Sequence, residues 1–526
     1  MRGRLDVSSA VVIDEILMRD LMTLIQAVLT WSHRAGSSLP ASLFLLLGLG
    51  LPAATPVITR GPYLQSLTTT SVVVRWRTDV AVESRVRYGT DSTELNDSAA
   101  MTNATTEHIV SLARLDPDTR YFYALQANGQ TLLESINLFF ITAPVTNRPV
   151  RIWVIGDSGT GDINAMLVRD TFYAYASNRY TDVWLALGDN AYVSGTDADY
   201  QRTFFNIYGD LLRQTAIWPA LGNHDGDFTT GNIPFLDIFS LPTEGEAGGV
   251  PSRSERYYAF DYANIHFVCL DPVSSDMSTN GVMLQWLRAD LAANTNEWLI
   301  ACLHYPPYTE ASHLSDTELD LRQVRERIVP LLEDFGTDLV LAGHSHSYER
   351  SFLLNGHYGP SSTLMTNMVI DGSCTLYRKP AAGLGIRRGT VYVVAGSSGQ
   401  LGGGDLDHPV MCTSLNELGS VVIDVDSLRM NVKFLRDEGG IGDSFTISKE
   451  DWPESPRPKL SASRTGTNLL LAWPTSIPPF DLHSARSGMG TWTPVTNVPT
   501  MQPRELRVQL PISHSPEFFH LRKRQP

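Results

Sequence analysis

Five short stretches of this chain place residues of metal-ligating type directly behind apolar runs. They are Gly156-Asp157-Ser158-Gly159, Gly188-Asp189-Asn190-Ala191-Tyr192, Gly222-Asn223-His224-Asp225, His304 closing the run from Trp298, and Gly343-His344-Ser345-His346. Together they offer Asp157, Asp189, Tyr192, Asn223, His304, His344 and His346. Two carboxylates, a phenol, an amide oxygen and three imidazoles suit a pair of cations better than one. A carboxylate that follows a strand and a glycine emerges at the strand's carboxyl end, where α/β proteins build their sites. One such aspartate could simply cap the next helix. Two in one domain favour a shared cation. His344 and His346, one residue apart, point the same way from a tight loop and can serve neighbouring ions. Lone histidines such as His266 and His357 read as packed or surface residues instead.

These residues need elements to position them. From Pro149 to about Glu450, apolar runs at Val150–Ile155, Val183–Leu187, Trp298–Leu303 and Asp338–Ala342 alternate with helical periodicity over Asn164–Ala176, Val282–Ala293 and Leu319–Phe335. Strand, helix, strand predicts a layered α/β domain with ligands at strand ends. Later runs, Thr390–Ala395, Ser420–Val425 and Met430–Phe434, have no helices between them and are expected as added antiparallel strands. Before this domain, Ser71–Arg77, Ser84–Tyr88, His108–Val110, Arg120–Gln126 and Ile136–Thr142 read as short strands of a β-sandwich. The turn Leu115-Asp-Pro117-Asp-Thr119-Arg-Tyr121 resembles the corner of fibronectin type III domains, in which the tyrosine hydroxyl bonds back to the backbone.

The expected organisation is therefore a leader over 1–54, a fibronectin III-like domain over 55–145, a catalytic α/β domain over 146–450, a proline-rich linker over 451–458, and a small β domain over 459–526. A chain of 526 residues fits a prior of about three domains. Within the leader, Leu43–Leu51 follows Arg34 and precedes Pro52-Ala53-Ala54, the order of a signal peptide, and it is too short to span a bilayer. The long stretch ahead of it suggests a later start, for instance at Met22. The expectation is a secreted, periplasmic or cell-surface protein with no transmembrane span once mature.

A formal charge of −15 argues against a nucleic-acid partner, because a phosphate backbone is bound by a basic stripe. Small anionic substrates would then need local positive charge, which metal ions supply. The four cysteines form no C-x-x-C pair. Cys269 and Cys302 lie in apolar runs and read as buried, while Cys374 and Cys412 are available for one disulfide if the protein is exported.

The five stretches resemble, in order, the blocks of the purple acid phosphatases, a branch of the calcineurin-like metallophosphoesterases: Asp-x-Gly, Gly-Asp-x-x-Tyr, Gly-Asn-His-Asp/Glu, Val-x-x-His and Gly-His-x-His. The resemblance runs from about Pro56 to Phe445, with Ala301 where the family often has valine. It implies a four-layer α/β core with two mixed β-sheets behind an N-terminal sandwich. It also implies a binuclear centre, with iron(III) on Asp157, Asp189, Tyr192 and His346, and zinc, iron or manganese on Asp189, Asn223, His304 and His344. Tyr192 discriminates, because the serine/threonine protein phosphatases carry Gly-Asp-x-Val-Asp-Arg-Gly at that block. The implied activity is acid hydrolysis of phosphomonoesters by metal-bound hydroxide, with His224 and His313 binding phosphate or protonating the leaving group. Asp225 is expected to orient His224 or its loop, and Tyr348-Glu349-Arg350 to anchor a loop. Phosphodiesters, nucleotides or phytate are alternative substrates for the same site. A β-sandwich adhesion protein with an inert central domain is the alternative from another class.

Overall fold

Uninterrupted apolar strands require cover on both faces, and the computed structural model of the chain supplies it. The structure describes residues 55–177, 179–381, 389–450, 460–474, 480–486, 491–497, 499–502, 505–512 and 517–523. The leader and signal peptide expected over 1–54, and the linker expected over 451–458, lie outside the described residues. Val150–Ile155, Val183–Ala186, Trp298–Leu303 and Leu339–Ala342 are buried along their whole length.

Two mixed seven-stranded sheets form the centre. The first runs Leu376–Arg378, Ile441–Ser448, Arg429–Arg436, Gly419–Asp426, Val150–Ile155, Val183–Ala186 and Ile217–Pro219. The second runs Met411–Leu415, Tyr348–Ser351, Val391–Ala395, Leu339–Ala342, Trp298–Leu303, Ile265–Cys269 and Tyr258–Tyr262. Alternation decides which neighbour each residue meets. Ile300, Cys302, Leu339 and Leu341 share a core with Ile152, Val154, Val421 and Ile423 of the first sheet. Leu299, Ala301, Leu303 and Val340 turn the other way, onto Leu284, Leu287, Val324 and Leu332 of the helices.

The helices form where periodicity predicts them. Ile163–Ala176 starts at Asp162, whose carboxylate accepts from the amides of Asn164 and Ala165, and Phe172 stacks 4.2 Å from Trp153. Val282–Ala293 matches its expected span. Leu319–Phe335 is less regular: Leu319–Gln323 and Val329–Asp334 are α-helical, and Val324–Ile328 between them is a widened π-type turn. Pro330 explains it, since its ring crowds the carbonyl of Glu326 and it lacks an amide to donate.

One strand departs from expectation. Val391–Ala395 runs parallel to Leu339–Ala342 and antiparallel to Tyr348–Ser351. The crossover back to this direction is made by the long loop-rich stretch after Ser351, so no helical pattern announces it.

Ahead of the two-sheet segment stands a five-stranded antiparallel unit, in which Ser71–Arg77 and Ser84–Tyr88 are one strand, Ser71–Gly89. No Gly or Pro separates them, and the irregularity is absorbed by register shifts between Arg77 and Ser84. The Tyr121 hydroxyl accepts from the Asp116 amide at 2.9 Å. This unit grips the two-sheet segment. The Tyr63 hydroxyl donates to the Ile238 carbonyl and that of Tyr123 to the Arg213 carbonyl, each at 2.8 Å. Arg77 and the buried Arg60 hold the Asp197 carboxylate at 2.7 and 2.9 Å, which lowers its pKa to about 2.

At the other end, Ser461–Thr465, Asn468–Pro474, Glu505–Pro511 and Thr500–Gln502 pair as one sheet, and Thr493–Pro494, Phe480–Ala485 and Phe518–Lys523 as another. Leu471, Trp473, Leu482 and Val508 form a core there. Cys374 is bonded to Cys412, and Cys269 and Cys302 are free and buried on adjacent strands.

Two charge clusters border the second sheet. Asp338, just before Leu339–Ala342, lies 2.8 Å from Lys379 Nζ and 2.9 Å from Lys449 Nζ, with all three side chains inaccessible to solvent. His266 sits between Asp261 at 2.6 Å and Asp290 at 2.7 Å. Burial opposes its charge, but the two carboxylates outweigh burial and raise its pKa to about 9. A folded-state pKa above the unfolded value of about 6.5 means stabilisation that is complete below pH ~6.5 and lost as pH climbs through about 9. The stability gap between wild type and His266→Asn should therefore shrink between pH 6 and pH 10 in urea melts. A gap that widens over that range would contradict a charged His266.

Candidate metal centre

The strand ends deliver the seven ligand-type side chains to one place, and the turns that do so are tight. Asp157, Asp189 and His344 all adopt left-handed backbone, with φ of 55°, 51° and 68°. Such conformations cost of order 1 kcal/mol or more outside glycine and cluster at functional sites. The neighbouring glycines are needed for close approach. A Cβ on Gly222 would sit 2.0 Å from the Asp189 amide nitrogen, and one on Gly188 would sit 2.6 Å from His304 Nδ1.

In one half of the site, the Tyr192 phenol oxygen lies 2.9 Å from Asp189 Oδ2, 3.2 Å from Asp157 Oδ1 and 3.3 Å from His346 Nε2. Burial, then Asp157 and Asp189, push this phenol far above its ordinary pKa. A phenol beside two carboxylates gives up its proton only if a cation takes its place. In the other half, His304 Nδ1 donates to the Leu187 carbonyl at 2.8 Å, which aims Nε2 at Asn223 Oδ1, 2.9 Å away, and at Asp189 Oδ1, 3.4 Å away. With the ring neutral, three acceptors face one another and need a positive charge between them.

A proton on the imidazoles is one way to meet that need. Burial disfavours the charged forms of His304 and His346, yet Asp157 and Asp189 outweigh burial and raise both pKa values. Metal binding must displace those protons. His344 has the opposite balance: burial, then His304 and His313, hold it neutral. Its amide donates to Asp157 Oδ2 at 2.7 Å, and its ring lies edge-on to His304 at 5.0 Å.

The two catalytic candidates flank this cluster. The His224 amide donates to Asp189 Oδ1 at 2.8 Å, and its Nδ1 donates to the Val193 carbonyl at 2.7 Å, so Nε2 is the nitrogen turned to a ligand. His313 stacks on His344 at 3.7 Å, with Nδ1 2.9 Å from Glu318 Oε2. Asp225 braces the loops and not the His224 ring: it accepts from the Gly222 and Asn190 amides and from the Tyr200 hydroxyl, at 2.7, 2.8 and 2.8 Å. Burial, then the charge of Asp189, raises its pKa to about 7. Glu349 accepts from Thr309 and so anchors a loop, whereas Arg350 clasps Asp443 at 2.6 Å and ties a strand of the second sheet to one of the first.

Sequence reasoning missed Glu318 and Gln400. Gln400 Nε2 lies 3.2 Å from His346 Nε2. Its signal was a sixth strand end, where Gly396-Ser397-Ser398-Gly399 follows Val391–Ala395.

The calcineurin-like phosphoesterase profile matches residues 150–348, and that of the purple acid phosphatase N-terminal domain matches residues 62–142. The chain thus contains a calcineurin-like phosphoesterase domain behind a purple acid phosphatase N-terminal domain. Among its relatives, an uncharacterized protein of Mycobacterium tuberculosis is 26% identical over 63% of this chain and 67% of its own length. Purple acid phosphatase 22 of Arabidopsis thaliana is 28% identical over 46% of this chain and 53% of its own length. The chain thus spans about half to two thirds of the curated relatives it matches. The seed purple acid phosphatase PPD1 of yellow lupin shares the fold, with a TM-score of 0.59 at 18% identity, over 75% of this chain and 74% of that one. Among the described residues, no helix is long and apolar enough to cross a membrane.

Proposed function

We propose that this phosphoesterase is an exported acid phosphatase that hydrolyses small phosphomonoesters at a binuclear metal centre. The observation that carries the reading is the Tyr192 oxygen within 2.9–3.3 Å of Asp189, Asp157 and His346. Asp157, Asp189, Tyr192 and His346 would hold iron(III), since a phenolate and carboxylates suit a hard trivalent ion. Asp189, Asn223, His304 and His344 would hold zinc, iron or manganese, with Asp189 shared. The pair, when bound, polarises phosphoryl oxygens and acidifies water enough for attack on phosphorus at low pH.

The remaining work falls to the chain's own groups. His224 Nε2 and His313 Nε2 bind phosphoryl oxygen and pass a proton to the ester oxygen as the P–O bond breaks. Glu318 fixes the His313 ring, and Asp225 keeps the Asp189 and Asn223 loops in register. The N-terminal unit, with its Tyr121 corner, is read as a fibronectin III-like sandwich, and the Cys374–Cys412 disulfide fits an oxidising compartment.

Metal analysis and an absorption spectrum of the purified protein test this reading. Iron with a visible charge-transfer band is expected, and Tyr192→Phe should bleach the band while leaving the fold intact by circular dichroism. Active, colourless, iron-free protein would sink the iron–phenolate assignment.

A further inference from the structure

Behind the loop that carries His304 and His313, three buried nitrogen-bearing side chains surround Tyr308. The Arg325 guanidinium carbon lies 6.0 Å from the Tyr308 ring centre, the His357 ring stacks at 5.6 Å, and the His408 ring meets it edge-on at 5.9 Å. Arg325 and His357 are wholly buried, and His408 is 3% exposed. Arg325 spends Nη1 on Asp316, at 2.9 Å, with Ser315 Oγ and the Pro307 carbonyl at 3.4 and 3.5 Å. Among the described residues, its Nε and Nη2, both ring nitrogens of His357 and Nε2 of His408 have no hydrogen-bond partner. Buried polar groups are ordinarily satisfied, so a concentration of them points to a ligand.

The proton inventory says which kind. Burial holds His408 down to about 4 and lowers His357 as well, so both rings are neutral. His408 Nδ1 accepts from the Val410 amide at 3.4 Å, which puts its proton on Nε2. Arg325 contributes only donors through Nε and Nη2, and neutral His357 contributes a single acceptor. Water could accept from two of these donors and give one proton to His357, but its second O–H would find no further acceptor among the three side chains. A small anion only accepts. Asp316 offsets the Arg325 charge and its charge reaches both imidazoles, but its carboxylate is also engaged by the Ser361 amide at 2.8 Å.

We propose that the chain binds a halide-class inorganic monoanion among Arg325, His357 and His408, apart from the candidate metal centre. The direct test is a crystal of the full chain soaked in bromide and measured at the bromine edge. An anomalous peak within hydrogen-bonding reach of Arg325 and at least one of the two imidazoles is expected. Ordinary water there, with bromide in the bath, overturns the proposal. In solution, the midpoint of thermal unfolding should rise with the logarithm of chloride concentration above its Kd, against gluconate at equal ionic strength. His408→Phe keeps the bulk of the ring, removes the Nε2 donor and should flatten the chloride response. A response that survives unchanged in His408→Phe also overturns the proposal, because halide bound at the metal centre would be unaffected by that variant. Arg325→Met should flatten it too; the bromide crystal and His408→Phe decide the question even if that variant does not fold.

Discussion

Asp189→Asn should abolish most phosphoester turnover, by roughly 10³-fold or more, since a metal pair supplies several kcal/mol of transition-state charge stabilisation. Asp189 reaches both halves of the site: Oδ2 is 2.9 Å from Tyr192, while Oδ1 is 3.4 Å from His304 Nε2 and 2.8 Å from the His224 amide. Asparagine keeps the shape and removes the charge. Metal content per chain should fall together with kcat, while the melting curve of the apoprotein moves little. Full metal content and full turnover in this variant would remove the shared carboxylate from the proposal, and the binuclear reading with it.

The second large effect concerns stability. Asp338→Ala should cost about 3–5 kcal/mol in urea unfolding, the range for breaking a buried ion pair from one side. Lys379 and Lys449 would each lose the carboxylate that now lies 2.8 and 2.9 Å away. Lys379 retains the Thr337 carbonyl at 2.8 Å, and Lys449 retains Glu297 at 3.2 Å, so neither ammonium is stripped of every partner. The activity of the molecules that remain folded should be unchanged, because this cluster lies at the opposite end of the strand from His344. A loss below about 1 kcal/mol would mean that water reaches the two amines, as at an exposed pair.

The two clusters differ in how far a sequence can announce them. Asp157, Asp189, Asn223, His304, His344 and His346 each follow a run of buried strand residues. Local pattern therefore places them at strand ends, and parallel pairing of those strands brings the ends together. Asp338 precedes its strand instead of following it, and its partners Lys379 and Lys449 stand just after Arg378 and Ser448, the last residues of two strands of the other sheet, so no spacing rule links them. Glu318 was hidden for a related reason, since an exposed acid at the head of a helix is ordinarily a cap. The direction of Val391–Ala395 was illegible because a loop makes the return, and loops carry no periodicity. Pro330 was readable and should have warned that Leu319–Phe335 is not one regular helix.

Arg60 and Arg77 reach from the leading β unit to Asp197, shortly beyond the phenol of Tyr192. A shortened chain that begins after that unit would leave this carboxylate without its guanidiniums and the Ile238 and Arg213 carbonyls without their tyrosine donors. A foreign leading module would therefore have to supply both guanidiniums and both phenol donors to hold the segment that follows Tyr192.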